Sequence, residues 1–287
     1  MSTIVFKKIM VGFAFSPNLK ANVYESLRMA HYFGGDLIFV HVGGKTPEKE
    51  SRFKEIIASS PVQSEKVTID WRVGNPVNIL LEASQEFNVD LILLGALKRE
   101  NVVKFYLGSI ARKITRRAKC SVLLLINPSV ERQPCQHIVV NGFDSPQTSE
   151  TIKAAFMVAK ALGSKKISLV EEISRSKVAV TVDDDKSLRR ATLKKEKLRR
   201  QEQTRVKDVV KKLPIKLTAE INWISQSIFG RRGYSIGHYA RVIRADLLVM
   251  NAQENLGFID RLITRDLEHI LAELPTDVLI VNSKGNE

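Results

Sequence analysis

The sequence lacks the features that mark secreted, membrane-spanning and metal-binding proteins. It has two cysteines in 287 residues, Cys120 and Cys135, which excludes a disulfide framework and favours a reducing compartment. It has no run of the about 20 apolar residues that a membrane-spanning helix needs. The N-terminus runs directly into an apolar, strand-like segment, so we expect no secretory signal, no membrane insertion and a cytoplasmic location. The five histidines show no spacing with cysteines or carboxylates that is typical of a zinc site.

The amino-acid composition indicates a globular protein whose charge is distributed unevenly along the chain. Hydrophobic residues make up 44% and charged residues 26% of the chain, whose length suits two domains of about 140 residues each. The net charge is +14. Residues 186–212 alone carry twelve Lys and Arg against three acids, so any partner of negative charge is expected at this segment.

The chain contains an internal repeat. Three segments of the first half recur in the second half in the same order: 91–96 as 247–252, 121–126 as 277–282, and 12–14 as 142–144. The first two pairs are offset by 156 residues and the third by 130, so the second half has 26 extra residues in its middle, around the basic segment. The two halves therefore share one layout.

Short hydrophobic runs alternate with segments of helical periodicity in both halves. The runs predict strands at 9–13, 37–40, 91–94 and 122–126, and at 137–143, 167–170, 217–223, 247–250 and 278–281. Helical periodicity in the first half covers 21–33, 77–87 and 110–118. This alternation predicts an α/β fold of two tandem, doubly wound (Rossmann-like) domains, 1–130 and 135–287. The join contains Pro128 and Pro134.

Two loops of the first half are the place to look for a ligand. Ligands of open parallel sheets bind beyond the carboxyl ends of the strands, and Gly95–Lys98 follows the predicted fourth strand. After nine intervening residues, 99–107, Gly108 and Ser109 open a predicted helix. Glycines and free N–H groups at a helix start suit a phosphate, but a turn and a helix cap explain the same residues.

This layout resembles the universal stress protein family, whose ATP-binding members carry a glycine loop of the same spacing at this place. Further similar features are Ala14–Pro17, Val40–Val42 and Gly74–Pro76. The resemblance implies five-stranded parallel sheets and ATP or AMP, with Mg²⁺, in the first domain. The nucleotide-binding residues that it implies are Val42, Leu94, Gly95, Lys98, Gly108, Ser109 and Ile110.

The sequence departs from the family pattern in both halves. The family has an aspartate after the first strand, and Ala14 stands at that position here. If the family's carboxylate accepts a hydrogen bond from the nucleotide, its absence removes about 1–3 kcal/mol of binding free energy. A lysine, Lys98, replaces the middle glycine. The second half has the carboxylate, Asp144, but no phosphate loop. Its matching positions are Asn251, Glu254, Thr264 and Arg265, and Gly230-Arg231-Arg232 stands in place of Gly74–Pro76. We therefore expect nucleotide in the first domain only.

These features predict a cytoplasmic stress-response protein that holds or senses a nucleotide. No catalytic residue and no enzyme activity are expected, because the pattern shows no His/Asp arrangement that would activate Ser109. The resemblance also implies an internal pseudo-dimer formed through the last strands, Val122–Ile126 and Val278–Val281. Whether the chain forms a homodimer is left open.

The segment 183–213 supports an alternative function. Its apolar spacing predicts an amphipathic helix, with Leu188, Ala191, Leu198, Val206, Val209, Val210 and Leu213 on one stripe. The basic face is either solvated or a docking surface for an acidic protein, nucleic acid or anionic lipid, which would make the chain a nucleotide-free interaction module. The segment has no aromatic residue for base stacking. Arg112, Lys113, Arg116, Arg117 and Lys119 form a second basic helix with the same ambiguity.

Overall fold

The computed structural model describes residues 6–64, 66–95, 97–98, 105–178, 181, 183–231, 233–252 and 265–282, with the backbone alone at 97–98, 105–106 and 265–266. The chain divides into two compact units: Met1–Pro134 with Asp277–Glu287, and Cys135–Thr276. The division at Pro134 falls in the polar segment that was predicted to join the domains. The residues from Asp277 onward group with the first unit, whereas the sequence placed them in the second domain.

The first unit alternates strands and helices. Its elements are β1 (Lys8–Phe13), α1 (Leu19–Phe33), β2 (Asp36–Val42), α2 (Pro47–Ala58), β3 (Val67–Arg72), α3 (Pro76–Glu86), β4 (Leu91–Gly95), β5 (Leu97–Lys98), β6 (Phe105–Tyr106), α4 (Ser109–Arg117), β7 (Ser121–Leu125) and the C-terminal β12 (Asp277–Val281). The strand order in this unit is β12-β7-β4-β1-β2-β3. Strands β7, β4, β1, β2 and β3 are parallel, and β12 is antiparallel to β7. This is the predicted doubly wound α/β fold.

The central strands form because their residues are apolar on both faces of the sheet. Ile9, Leu37 and Leu91 lie on β1, β2 and β4 and are fully buried. Helices cover both faces of such a sheet, and α1 contributes Val23 and Leu27 to the core. Burial on both faces thus follows directly from the continuous hydrophobic runs.

A local cap starts α3. The Asn75 side chain accepts a hydrogen bond from the N–H of Val77 at 3.0 Å, and Pro76 occupies the first turn, where its missing N–H costs nothing. The Gly74–Pro76 segment is thus a helix start at the carboxyl end of β3.

The second unit repeats the alternation with a long inserted helix. Its elements are β8 (His137–Asn141), α5 (Thr148–Leu162), β9 (Lys166–Ser174), a 3₁₀ turn (Arg175–Lys177), α6 (Asp185–Lys211), α7 (Ile215–Thr218), β10 (Asn222–Gly230), α8 (Tyr234–Val242), β11 (Leu247–Asn251) and α9 (Arg265–Ala272). The strand order is β10-β9-β8-β11, all parallel.

The strand predicted at 217–223 is corrected by the structure. Leu217 lies in α7 and not in a strand, and β10 begins only at Asn222. Strand β10 pairs with β9 alone and alternates polar with apolar residues, so it lacks the continuous apolar run by which buried strands are recognised. The five strands per domain stay a prediction: the described residues give six strands in the sheet of the first unit and four in the second, because β12 is grouped with the first unit.

The pairing of β12 with β7 confirms the predicted contact between the last strands of the two halves. Leu279 is paired with Leu123, and both side chains are buried. The carboxylate of Asp277 accepts a hydrogen bond from the N–H of Ile126 at 2.8 Å. The antiparallel strand thereby satisfies an edge of β7 that would otherwise expose unpaired backbone groups.

The inserted residues form α6, a helix of 27 residues. It begins with a capping box, in which the Asp184 carboxylate accepts a hydrogen bond from the N–H of Ser187 at 2.6 Å. Ala191, Val206 and Val210 are buried, as predicted for the apolar stripe. Leu188 of the same stripe is 53% exposed, so the start of the helix is not packed along its whole apolar side.

Candidate nucleotide site in the first unit and its counterpart in the second

The carboxyl end of β1 is the topological switch point of the first unit. Strand β2 lies on one side of β1 and β4 on the other, so the chain connections diverge there. In open parallel sheets this divergence creates the ligand crevice. Three of the predicted residues lie at this edge of the sheet: Val42 ends β2, and Leu94 and Gly95 end β4.

The backbone at the end of β4 is accessible. Gly95 is exposed, and a Cβ atom there would lie 3.0 Å from Oδ1 of Asn22, a residue of α1. Glycine therefore leaves room between the strand end and this side chain. Leu94 is only 6% exposed, so only its backbone can reach a ligand. Asn22 adds a polar side chain that was not predicted, since nothing in its local sequence sets it apart from other helical polar residues.

The other half of the predicted phosphate loop is the start of α4. Gly108 is the N-cap residue, and Ser109 opens the helix with an exposed side chain. Within the described part of the chain, the Ser109 hydroxyl has no hydrogen-bond partner. The first N–H groups of a helix also lack partners within the helix, and together these donors suit an anion. Ile110 is 44% exposed, whereas the side chain of Lys98 lies outside the described residues.

An aromatic cluster lies at the carboxyl ends of β1, β2 and β3. Phe15 is stacked on Trp71 with ring centroids 6.2 Å apart, and His41 contacts both rings edge-on. The His41 Nδ1 atom is 3.0 Å from the carbonyl oxygen of Phe13. This cluster was not predicted from the sequence, although each of its members lies at or just after the carboxyl end of a strand, where ligands of open sheets bind. Ala14 next to it is exposed and offers no carboxylate.

Two cations of α2 cover the outer ring of this cluster. The Lys49 ammonium lies 5.8 Å and the Arg52 guanidinium 5.9 Å from the centroid of Phe15. Both distances are typical of cation–π contacts. The half-buried Phe15 is thus held between cations and Trp71 at the rim of the crevice.

In the second unit the corresponding place is filled by the chain itself. Arg205 of α6 donates a hydrogen bond to the carbonyl oxygen of Gly142, the residue after β8. It donates another to the carboxylate of Glu171, which lies within β9. It also pairs with Glu202 at 2.9 Å and lies 3.7 Å from Asp144, the carboxylate that the repeat places at the position of Ala14. A guanidinium of this chain therefore occupies the region that a ligand would need.

Burial makes the Glu171 carboxyl of this network unusual. The Glu171 side chain is only 5% exposed, and desolvation raises its pKa to about 8 although the Arg205 charge acts in the opposite direction. The nearby Glu202 and Asp144 carboxylates raise the pKa further. Glu171 therefore gains a proton far more readily than an ordinary glutamate.

The second unit shows no described phosphate loop. Asn251 ends β11, and its amide donates to Ser145 Oγ at 3.3 Å. Arg265 is the first residue of α9, while Glu254 and Thr264 lie outside the described residues.

The described residues also bear on metal binding and on membrane insertion. Among the residues that the structure describes, no group of three or more His, Cys, Asp or Glu side chains could hold a metal ion. No helix in the described ranges is long and apolar enough to cross a membrane.

Comparison with known proteins gives a consistent set of matches. A sequence model of the universal stress protein family matches residues 6–125. A universal stress protein of Methanocaldococcus jannaschii is 25% identical over 84 residues, which are 29% of this chain and 49% of the relative. The match therefore spans about half the length of that relative.

Solved structures extend the match to the whole chain at the level of the fold. A universal stress protein from Archaeoglobus fulgidus is 15% identical, with a TM-score of 0.64 over 99% of this chain and 98% of its own. A universal stress protein in complex with cAMP covers 42% of this chain and 95% of its own at 21% identity, with a TM-score of 0.35. The chain is thus similar in sequence to the universal stress protein family over residues 6–125, and it shares the fold of solved universal stress proteins over its length.

Proposed function

We propose that the first unit binds an adenine nucleotide, ATP or AMP, and that the chain is a cytoplasmic stress-response protein that holds or senses it. The observation that carries the proposal is the start of α4, where Gly108 and Ser109 open the helix that follows β4 and β6 and the Ser109 hydroxyl has no partner among the described residues, in a unit matched by the family model. Binding without turnover is proposed, because no general base is assigned to the site.

In this proposal the nucleotide contacts two regions of the first unit. The phosphates, with Mg²⁺, belong at Gly95, Gly108 and Ser109, where backbone approach and helix N–H groups favour anions. The charge of Lys98 would add to this phosphate side. The nucleoside belongs at Val42 and at the backbone of Leu94, with Ile110 closing the site.

Gly108 allows a sharp test. Its φ of −59° and ψ of 158° suit any residue, and aspartate and asparagine are both favourable N-cap residues. Gly108→Asp therefore keeps the helix but places a negative charge against the phosphates, and Gly108→Asn is its neutral control of the same shape. We expect calorimetric affinity for Mg–ATP to fall about tenfold or more in Gly108→Asp relative to Gly108→Asn.

The same protein can be examined for nucleotide retained during purification. Denaturation of fresh protein should release about one ATP or AMP per chain. Equal affinity of the aspartate and asparagine variants, or no uptake of ATP or AMP by the unaltered chain, would refute the proposed site.

A second function is favoured by the exposed face of α6. Ten of the twelve Lys and Arg side chains in 186–212 are exposed, so the excess charge is presented to solvent instead of being neutralised in the fold. The alternative function is a nucleotide-free interaction module that docks an acidic protein through this face.

Charge reversal tests this alternative. Arg189, Arg190, Lys194 and Lys195 are exposed, so their replacement by glutamate should abolish capture of an acidic partner while thermal stability is retained. Capture of the same partner by the reversed variant would show that this face is only solvated.

A further inference from the structure

Strand register in the second unit brings two arginines together that are distant in sequence. Gly230, the last residue of β10, is paired with Ser174, the last residue of β9. The strands are parallel, so the residues that follow them, Arg231 and Arg175, leave the sheet side by side. Neighbouring parallel strands lie about 4.8 Å apart, which places two cations at one edge.

These arginines line a cavity of about 470 Å³. Its walls are Ser174, Arg175, Gly230, Arg231, Tyr234 and Ser235. The volume lies in the range of small-molecule sites. No acidic side chain contributes to the described walls, and the described residues place no carboxylate in ion-pair contact with either guanidinium. Two arginines that line one cavity without a described carboxylate are an arrangement that a phosphate neutralises, and a guanidinium often binds it with two parallel hydrogen bonds.

The start of α8 is not what would hold the anion. The buried Glu172 carboxylate accepts hydrogen bonds from the N–H groups of Gly233 at 2.9 Å and Ile236 at 2.7 Å. The N–H of Ser235 donates to the carbonyl oxygen of Arg231. These three donors are already engaged, so the arginine side chains are the charged groups of the cavity that remain to bind an anion.

One wall of the cavity is a flat ring. Tyr234 is 60% exposed and lies parallel to His238, with an interplanar angle of 3° and ring centroids 6.4 Å apart. Aromatic rings of this kind favour stacking with a planar ligand. The ring and the guanidinium pair thus offer two different chemistries within one cavity.

We propose that the cavity at the carboxyl ends of β9 and β10 binds a small organic phosphate, whose phosphate pairs with Arg175 and Arg231 and whose planar group stacks on Tyr234. The site belongs to the second unit alone and is independent of the nucleotide site proposed for the first. It replaces the helix start at Gly74–Pro76 in the first unit, where the residue matching Arg231 is Asn75.

Phenyl phosphate and inorganic phosphate are suitable probes, because neither carries an adenine. Titrations are made on the full chain with Gly108→Asp, which disables the first unit's phosphate loop, and binding is followed by NMR of the arginine Nε–H signals. Phenyl phosphate should bind in the millimolar range or tighter, and more tightly than inorganic phosphate. Arg175→Gln with Arg231→Gln should weaken both probes about tenfold or more, and Tyr234→Leu should weaken only phenyl phosphate.

A matched control removes the same charge elsewhere. Arg189→Gln with Arg190→Gln alters two exposed arginines of α6 and should leave both affinities unchanged. All four arginines are exposed, so folding is expected to be retained, and thermal melting of each variant checks this. The proposal is overturned if phenyl phosphate does not bind, if the control weakens it as much as the cavity variants do, or if Tyr234→Leu has no effect.

Discussion

Glu171 and Arg205 form an ion pair in which the two charges are unequally exposed. The Arg205 side chain is 25% exposed, whereas that of Glu171 is 5% exposed. Solvent therefore stabilises the guanidinium better than the carboxylate, and removal of the carboxylate from water costs more than the attraction returns. This imbalance is the physical reason for the raised pKa of Glu171.

The raised pKa makes stability depend on pH in a defined direction. The pKa of Glu171 is about 8 in the folded chain against about 4.3 in an unfolded one, so the folded state binds the extra proton between these values. The contribution of Glu171 is therefore fully present below about pH 4.3 and is lost as the pH rises to about 8. Glu171→Gln, which has no proton to lose, should melt increasingly above the unaltered protein as the pH is raised from 5 to 8.

The matched control is Glu196→Gln, because Glu196 pairs with Arg199 on α6 and both side chains are more than 40% exposed. Its melting temperature should follow that of the unaltered protein at each pH. Melting curves for Glu171→Gln that run parallel to those of the unaltered protein would show that Glu171 titrates normally.

Val206 is the most deeply buried residue of α6 among those described. It is fully buried, whereas Val209 on the same helix is half-buried. Val206→Ala should lower the free energy of unfolding in urea by about 1.5–2 kcal/mol, because two buried carbons are removed and a cavity remains. Val209→Ala makes the same chemical change and should cost less than half as much. Similar losses for the two variants would contradict this packing of α6.

At the scale of elements, α6 depends on its capping box. Asp184 accepts the N–H of Ser187, whereas the neighbouring Asp183 carboxylate is not part of the box. Asp184→Ala should destabilise the first turns by about 1 kcal/mol, since an N-cap acceptor is lost. Hydrogen exchange of the segment 185–195 should accelerate about fivefold. Asp183→Ala removes the same charge and should have a much smaller effect; equal acceleration would mean that charge alone governs the helix start.

Elements differ in how far local sequence predicted them. The strands near 9–13, 91–94 and 247–250 were found because burial on both faces requires a continuous apolar run. The start of the edge strand β10 was predicted wrongly because polar and apolar residues alternate along it, so it has no continuous apolar run. Of the predicted phosphate loop, Gly95 and the Gly108–Ser109 helix start were found from spacing. Asn22 and Arg205 were missed because the fold brings them to strand ends from other elements.

For the whole molecule, β12 is the element that completes the sheet of the first unit. A chain that ends at Thr276 would leave the edge of β7 unpaired, with Leu123 exposed among its apolar neighbours. We expect this truncated chain to self-associate in size-exclusion chromatography and to bind a hydrophobic dye, as exposed sheet edges do. A chain that ends at Asn282 keeps β12 and should elute and bind dye as the full chain does. A monomeric, dye-free chain ending at Thr276 would show that β12 does not protect this edge.

The α/β class, the internal repeat, the central strands and the spacing of the glycine loop from Gly95 to Ser109 could all be recognised in the linear sequence. Each of these depends on periodicity or on neighbouring residues, which a linear pattern records. Three features could be seen only in the folded chain: β12 is grouped with the first unit, Arg205 lies at the strand ends of the second, and Arg175 and Arg231 line one cavity. Those outcomes depend on strand register and on helix placement, which join residues up to about 150 positions apart through contacts that no local propensity encodes.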